Sequence, residues 1–130
     1  QIDFLDGHSG IAIAKLNDID NIEYDVAFVA IGNPAIRSQY LDRIKKAATL
    51  IHPRACVSLS AKIGKGCIVE AGAVICADAK VGKGTIVMAN AVVGHNATVG
   101  DYCQLKYNCT IPEMASVTSS QIVACNSVWE

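Results

Sequence analysis

GCIVEAGAVICADAKVGKGTIV, residues 66–87, repeats a simple pattern every six positions. Val69, Ile75, Val81 and Val87 are aliphatic, and the same frame runs outward in both directions without a slip. Upstream it takes in Ile51, Val57 and Ile63; downstream it takes in Val93, Val99, Leu105, Ile111, Val117 and Val123. A second series stands two residues before each aliphatic: Ala55, Ala61, Cys67, Ala73, Ala79, Thr85, Ala91, Ala97, Cys103, Cys109 and Ala115. Every member of it is small. Two locked series at period six are the signature of a parallel β-helix built from hexapeptide repeats.

An α-helix would need apolar residues at 3.6 spacing, and a hairpin sheet would need turn signals between alternating strands. Here each short strand points one aliphatic residue inward, the chain turns a corner, and the next strand does the same. Three faces make a coil of about eighteen residues, so Val69, Val87, Leu105 and Val123 are expected to stack in one column. Gly64, Gly82, Gly94 and Gly100 each follow an aliphatic residue, where a corner favours a permissive backbone. One coil cannot bury its own face, whereas stacked coils share a continuous core. Burial of about 1.5–3 kcal/mol per large aliphatic opposes about 1–2 kcal/mol of backbone entropy per ordered residue. The prism's flat faces are therefore expected to pack against other copies of the chain.

The whole chain has 130 residues, a net charge of −1 and 52% hydrophobic residues. That balance reads as a soluble globular protein and gives no electrostatic case for a nucleic acid or a membrane surface. No apolar run is long enough to span a bilayer, and no signal peptide is visible. Of the six cysteines, Cys67, Cys103 and Cys109 fall in the small series, so they read as core residues of a reduced, cytoplasmic protein. No CxxC pair occurs, which argues against structural zinc.

Before the repeats, Ile2 to Leu5 reads as a strand ending at Asp6-Gly7, and Lys15 to Asp25 is polar. Val26 to Ile31 is a continuous apolar run suited to a buried parallel strand. Asn33 is a good N-cap with Pro34 at the first helical position, and Ile36, Tyr40, Leu41 and Ile44 follow at helical spacing. Ala48 to Ile51 reads as a further short strand. Strand, helix and strand predict a partial Rossmann-like α/β domain over residues 1–50, joined to a β-helix domain over 51–130. At the far end Trp129 is read as a cap on the open prism.

AIGNPAIR at Ala30–Arg37, LIHPRACVS at Leu50–Ser58 and VVGHNATVGDY at Val92–Tyr102 together resemble the NeuD/PglD family of bacterial sugar O- and N-acetyltransferases. The resemblance implies a left-handed coil, a homotrimer, acetyl-CoA as donor and no metal. As acceptor it implies an amino or hydroxyl group of a sugar or nucleotide-sugar. It also implies that His95 is the general base, since its motif Gly94-His95-Asn96 matches the family's catalytic stretch. Imidazole suits the task because it titrates near neutrality. Asn96 falls where the family carries an acidic partner, and Gln104 falls where the family carries a second histidine beside the acetyl carbonyl. Asp6, Ile31, Gly32, Asn33 and Arg37 match positions beside the nucleotide-sugar pocket.

The chain departs from the family at several of these points. Asn96 and Gln104 are neutral amides, Met88-Ala89 replaces a polar pair, and the pattern loosens at Ile111-Pro112-Glu113-Met114. A neutral amide can orient an imidazole but does not stabilise an imidazolium as a carboxylate does. A non-catalytic trimeric scaffold, or a sugar-nucleotide-binding protein, is the alternative. His52 beside Pro53 reads as structural, and His95 has no histidine partners in the repeats with which to hold zinc.

Overall fold

The computed structural model describes Leu5 and residues 15–130. Asp6, and the strand expected at Ile2–Leu5 apart from Leu5 itself, lie outside the described residues. From Leu50 onward, thirteen two-residue strands recur every six residues, β1 (Leu50–Ile51) to β13 (Ile122–Val123). They stack into three parallel faces. The first holds β1, β4 (Ile68–Val69), β7 (Ile86–Val87), β10 (Gln104–Leu105) and β13; five stacked strands correspond to four coil steps. Val87 pairs with Val69 on one side and Leu105 on the other, and Leu105 pairs with Val123. The expected column is present, and the inward series from Val69 to Val123 is buried.

The small series carries more than small size. Thr49, Cys67, Thr85 and Cys103 lie eighteen residues apart on one edge. Each sends its hydroxyl or thiol to a corner carbonyl fifteen residues on: Gly64 at 3.1 Å, Gly82 at 3.0 Å, Gly100 at 2.9 Å and Thr118 at 3.2 Å. A buried carbonyl left unpaired costs free energy, so this edge needs a donor and not merely a small side chain. Burial pushes the Cys67 and Cys109 thiols up to about 11, and all six cysteines are free.

The corners correct one expectation. Gly64, Gly82, Gly94 and Gly100 do not take the left-handed conformation. They are required because the next coil passes too close: a Cβ on Gly82 would lie 2.5 Å from the Gly100 carbonyl carbon. The left-handed residues form a third period-six series, from Gly66 to Asn126. It includes Asp78, Asn90, Asn96, Asn108 and, less usually, Tyr102 and Met114. Asn and Asp tolerate that region because their short polar side chains bond locally.

The outward residues separate the faces. The first face presents Leu50, Ile68, Ile86, Gln104 and Ile122. The second, built on β2 (Cys56–Val57), β5 (Val74–Ile75), β8 (Val92–Val93) and β11 (Thr110–Ile111), presents Cys56, Val74, Val92 and Thr110. The third, on β3 (Lys62–Ile63), β6 (Lys80–Val81), β9 (Thr98–Val99) and β12 (Ser116–Val117), presents Lys62, Lys80, Thr98 and Ser116. Two faces are largely apolar and the third is polar.

Residues 15–49 do not form the expected Rossmann-like unit. They contain a 3-10 helix, Leu16–Asn21, and one α-helix, α1 (Pro34–Leu41). The Val26–Ile31 run contributes only a bridge, Ala27 to Ala47. A parallel strand needs partners along its edges, and among the described residues this bridge is the pairing the run makes. The Ala48–Ile51 strand is real only as β1, and it belongs to the prism. Asn33 caps α1 as expected, its Oδ1 accepting from the Ile36 amide at 3.1 Å. The buried helix residues are Arg37 and Leu41, whereas Ile36 is 43% exposed. Ile19, Val29, Leu41, Ile44 and Tyr102 make a second small core that joins this segment to the prism.

Candidate active site

His95 sits on the corner between β8 and β9, exposed on the ridge between the second and third faces. Its neighbours come from two coils. Asn96, next in sequence, is held at φ +58 by the corner, with its amide Nδ2 3.1 Å from His95 Nδ1. Glu113, eighteen residues on and one coil along, places Oε2 2.9 Å from His95 Nε2. With Nε2 protonated and donating to Glu113, Nδ1 carries the lone pair that meets the Asn96 amide. A protonated ring would donate to Glu113 while that carboxylate balanced its charge. The imidazole is therefore gripped on both nitrogens. Sequence reading missed Glu113, although the coil length pointed to it: position 95 plus one turn of eighteen.

Gln104 does not join this group within one chain. It points outward from β10 on the first face, with the whole third face between it and the His95 ridge. It lies instead beside the residues matched to the sugar pocket: a Cβ on Gly32 would be 3.9 Å from Gln104 Nε2. Among the described residues its side-chain amide makes no hydrogen bond. Ile31 is half-buried, and Gly32 and Asn33 are exposed just before α1.

Arg37 differs from the other matched residues. It is 1% exposed, and all five of its N–H groups go to main-chain carbonyls. Nε donates to Gly84 at 2.6 Å, Nη1 to Ile31 at 2.8 Å and Gly32 at 2.7 Å, and Nη2 to Tyr102 at 2.9 Å and Cys103 at 3.1 Å. A guanidinium has five donors, and here all five are committed to the main chain. Burial lowers its affinity for a proton from the ordinary arginine value, and a guanidinium stays charged throughout the ordinary pH range.

Other candidates fall outside the site. His52 Nδ1 accepts from the Arg54 amide at 3.1 Å in the first corner, consistent with a structural role. An open hollow of about 620 Å³ is lined by Thr49, Leu50, Ile51, His52 and Glu70, with neither His95 nor Gln104. Among the described residues no cluster of His, Cys, Asp or Glu is arranged to hold a metal, and no helix is long and apolar enough to cross a membrane.

Residues 78–113 match the family model described as bacterial transferase hexapeptide (six repeats). Among solved structures the chain is similar to the acetyltransferase domain of PglB from Neisseria gonorrhoeae, at 24% identity and a TM-score of 0.73. That match covers 97% of this chain and 80% of the other. It is similar to PerB from Caulobacter crescentus, crystallised with CoA and GDP-perosamine, at 21% identity and a TM-score of 0.69, covering 92% and 70%. WeeI from Acinetobacter baumannii matches at 18% identity and a TM-score of 0.60, covering 98% and 74%. No curated protein matches in sequence. The resemblance to sugar acetyltransferases of the NeuD/PglD type thus holds in the fold, which these structures share.

Proposed function

We propose that this chain is an acetyl-CoA-dependent acetyltransferase acting on an amino or hydroxyl group of a sugar or nucleotide-sugar, with His95 as general base. The observation that carries the reading is the His95 triplet, an imidazole with a carboxylate at 2.9 Å on one nitrogen and an amide at 3.1 Å on the other. The carboxylate on Nε2 is the geometry of a base held in orientation and charge-balanced once protonated, with Nδ1 left to take the proton. Glu113 takes the part that the resemblance gave to the residue after the histidine. Asn96 orients the resting ring from the corner, and its Nδ2 must swing off Nδ1 before that nitrogen takes a proton.

Acetyl-CoA would supply the thioester; Gln104 offers the carbonyl a donor from the amide that no described residue occupies. His95 would take the proton from the acceptor as nitrogen or oxygen bonds to the acyl carbon, and the thiolate leaves. Within one chain Gln104 and the His95 ridge are separated by a face. The two apolar outer faces support a homotrimer in which one copy brings its Gln104 face to another's His95 ridge. The relatives bound to CoA, acetyl coenzyme A and GDP-perosamine support the donor and acceptor classes. A left-handed sense of coil, the two-part division at residue 50 and a reduced, cytoplasmic setting for the six free thiols complete the reading.

One observation favours the alternative of a non-catalytic scaffold: both His95 nitrogens are engaged by the protein's own side chains, and a base must present a free lone pair. The deciding experiment is turnover of acetyl-CoA against a panel of amino- and hydroxyl-sugar nucleotides. His95→Ala is expected to lose about 10²–10⁴-fold in kcat, and Gln104→Ala to weaken acetyl-CoA binding in calorimetry. Absence of both turnover and binding at millimolar donor leaves the scaffold.

A further inference from the structure

The five bonds of Arg37 connect three separate pieces of chain. Two reach back to Ile31 and Gly32, two reach Tyr102 and Cys103, immediately before Gln104, and one reaches the corner carbonyl of Gly84. The Ile31–Asn33 turn and the Gln104 strand are thereby brought side by side, with Gly32 next to the Gln104 amide. A second bond set holds the same junction: Tyr102 donates its hydroxyl to Asp42 Oδ1 at 2.8 Å, and Lys83 reaches the same oxygen at 3.1 Å. Tyr102 is the bulky residue at φ +57, a conformation that costs energy and persists where surrounding contacts impose it. Its carbonyl faces Arg37 and its hydroxyl faces Asp42, so both ends of it are held by the segment carrying the turn.

We propose that Arg37 is a positioning residue that clasps the Ile31–Asn33 turn to the Gln104 strand, setting the distance between acceptor and donor. The assignment of those two stretches to acceptor and donor rests on the acetyltransferase reading; the clasp itself rests on the five bonds. β10 is also held by its own ladder, with the Gln104 amide on the Gln121 carbonyl at 2.8 Å and the Ile86 amide on the Cys103 carbonyl at 3.0 Å. Loss of Arg37 therefore frees the turn and leaves the strand.

The test compares the full chain with Arg37→Lys and Arg37→Met in two measurements. Steady-state kinetics is expected to show kcat/KM for the acceptor falling about 10²-fold in Arg37→Met, the scale of a misplacement of about 1 Å. Arg37→Lys should fall less, and the dissociation constant for acetyl-CoA should not change in either. Hydrogen exchange read by mass spectrometry is expected to rise across residues 31–41 and stay unchanged across 50–130, which shows that both variants keep the prism. Faster exchange with unaltered acceptor kinetics reduces Arg37 to a purely structural role and overturns the proposal. Unaltered exchange overturns the clasp itself. If the unmodified chain turns over no acceptor, the acetyltransferase reading fails, and the clasp stands or falls on exchange alone.

Discussion

The prism and the segment that precedes it hold themselves together in opposite ways. In residues 50–130 the same contact is repeated: an aliphatic on an aliphatic eighteen residues away, a ladder bond, a tight corner. In residues 15–49 a few unlike contacts dominate: Leu41 packed under the Gly66 and Gly84 corners, one guanidinium with five acceptors, one hydroxyl on one carboxylate. Repetition spreads stability over many near-equal neighbours, as expected of a solenoid. Docking concentrates it in a handful of side chains, so single changes there should release the segment without unfolding the prism.

The largest effect belongs to the column. Leu105→Ala, at a fully buried position, is expected to cost about 2–5 kcal/mol in denaturant unfolding. Gly82→Ala comes next. Its Cβ would meet the Gly100 carbonyl carbon at 2.5 Å and the Asp101 amide at 2.6 Å, backbone that cannot swing aside, and about 1–3 kcal/mol is expected from the strain. Leu41→Ala removes as much buried surface as Leu105→Ala, yet it should leave the prism's unfolding midpoint in place and raise exchange only in residues 15–49. An equal drop in midpoint for both leucine variants would show one cooperative unit and end the comparison.

Acid gives a smaller effect. The Tyr102 hydroxyl, and then Lys83, hold the Asp42 carboxyl below its ordinary range. A carboxyl lowered in the folded state contributes stability above its unfolded value and loses it as pH falls through the folded one. Docking of residues 15–49 should therefore loosen on acidification through and below the usual carboxylate range. Because Asp42 is largely exposed, the contribution is below about 1 kcal/mol. Exchange in that segment at neutral and acid pH checks this, and Asp42→Asn should flatten the difference. A last test costs no stability: at pH 8 an alkylating reagent should modify the exposed Cys56 and Cys125. It should spare Cys67 and Cys109, buried and pushed up to about 11.

Legibility in the sequence followed the range of each interaction. The inward column and the alternation of faces come from a rule that restarts every six residues, and a run such as Val69 to Val123 displays it in full. The Asn33 cap was equally local. The apolar run Val26–Ile31 misled because hydrophobicity says that a segment is covered, not that a sheet covers it; Val29 is buried in a cluster with Leu41 and Ile44, and the one bridge the run makes among the described residues is Ala27 to Ala47. The glycine columns were visible but given the wrong cause, since close approach of the next coil leaves no mark on the residue's own dihedrals. His95 could be picked out by its Gly94-His95-Asn96 motif, while its carboxylate partner needed the coil length to be applied to the corner as well as to the core.

By itself the sequence determined the prism and its inward column, because a short period forces each residue's environment to recur. The tertiary structure alone decided what crosses between regions. Arg37 meets three of its five acceptors 47, 65 and 66 residues away. No local pattern encodes those separations; they arise when a segment without a period of its own docks on one that has it.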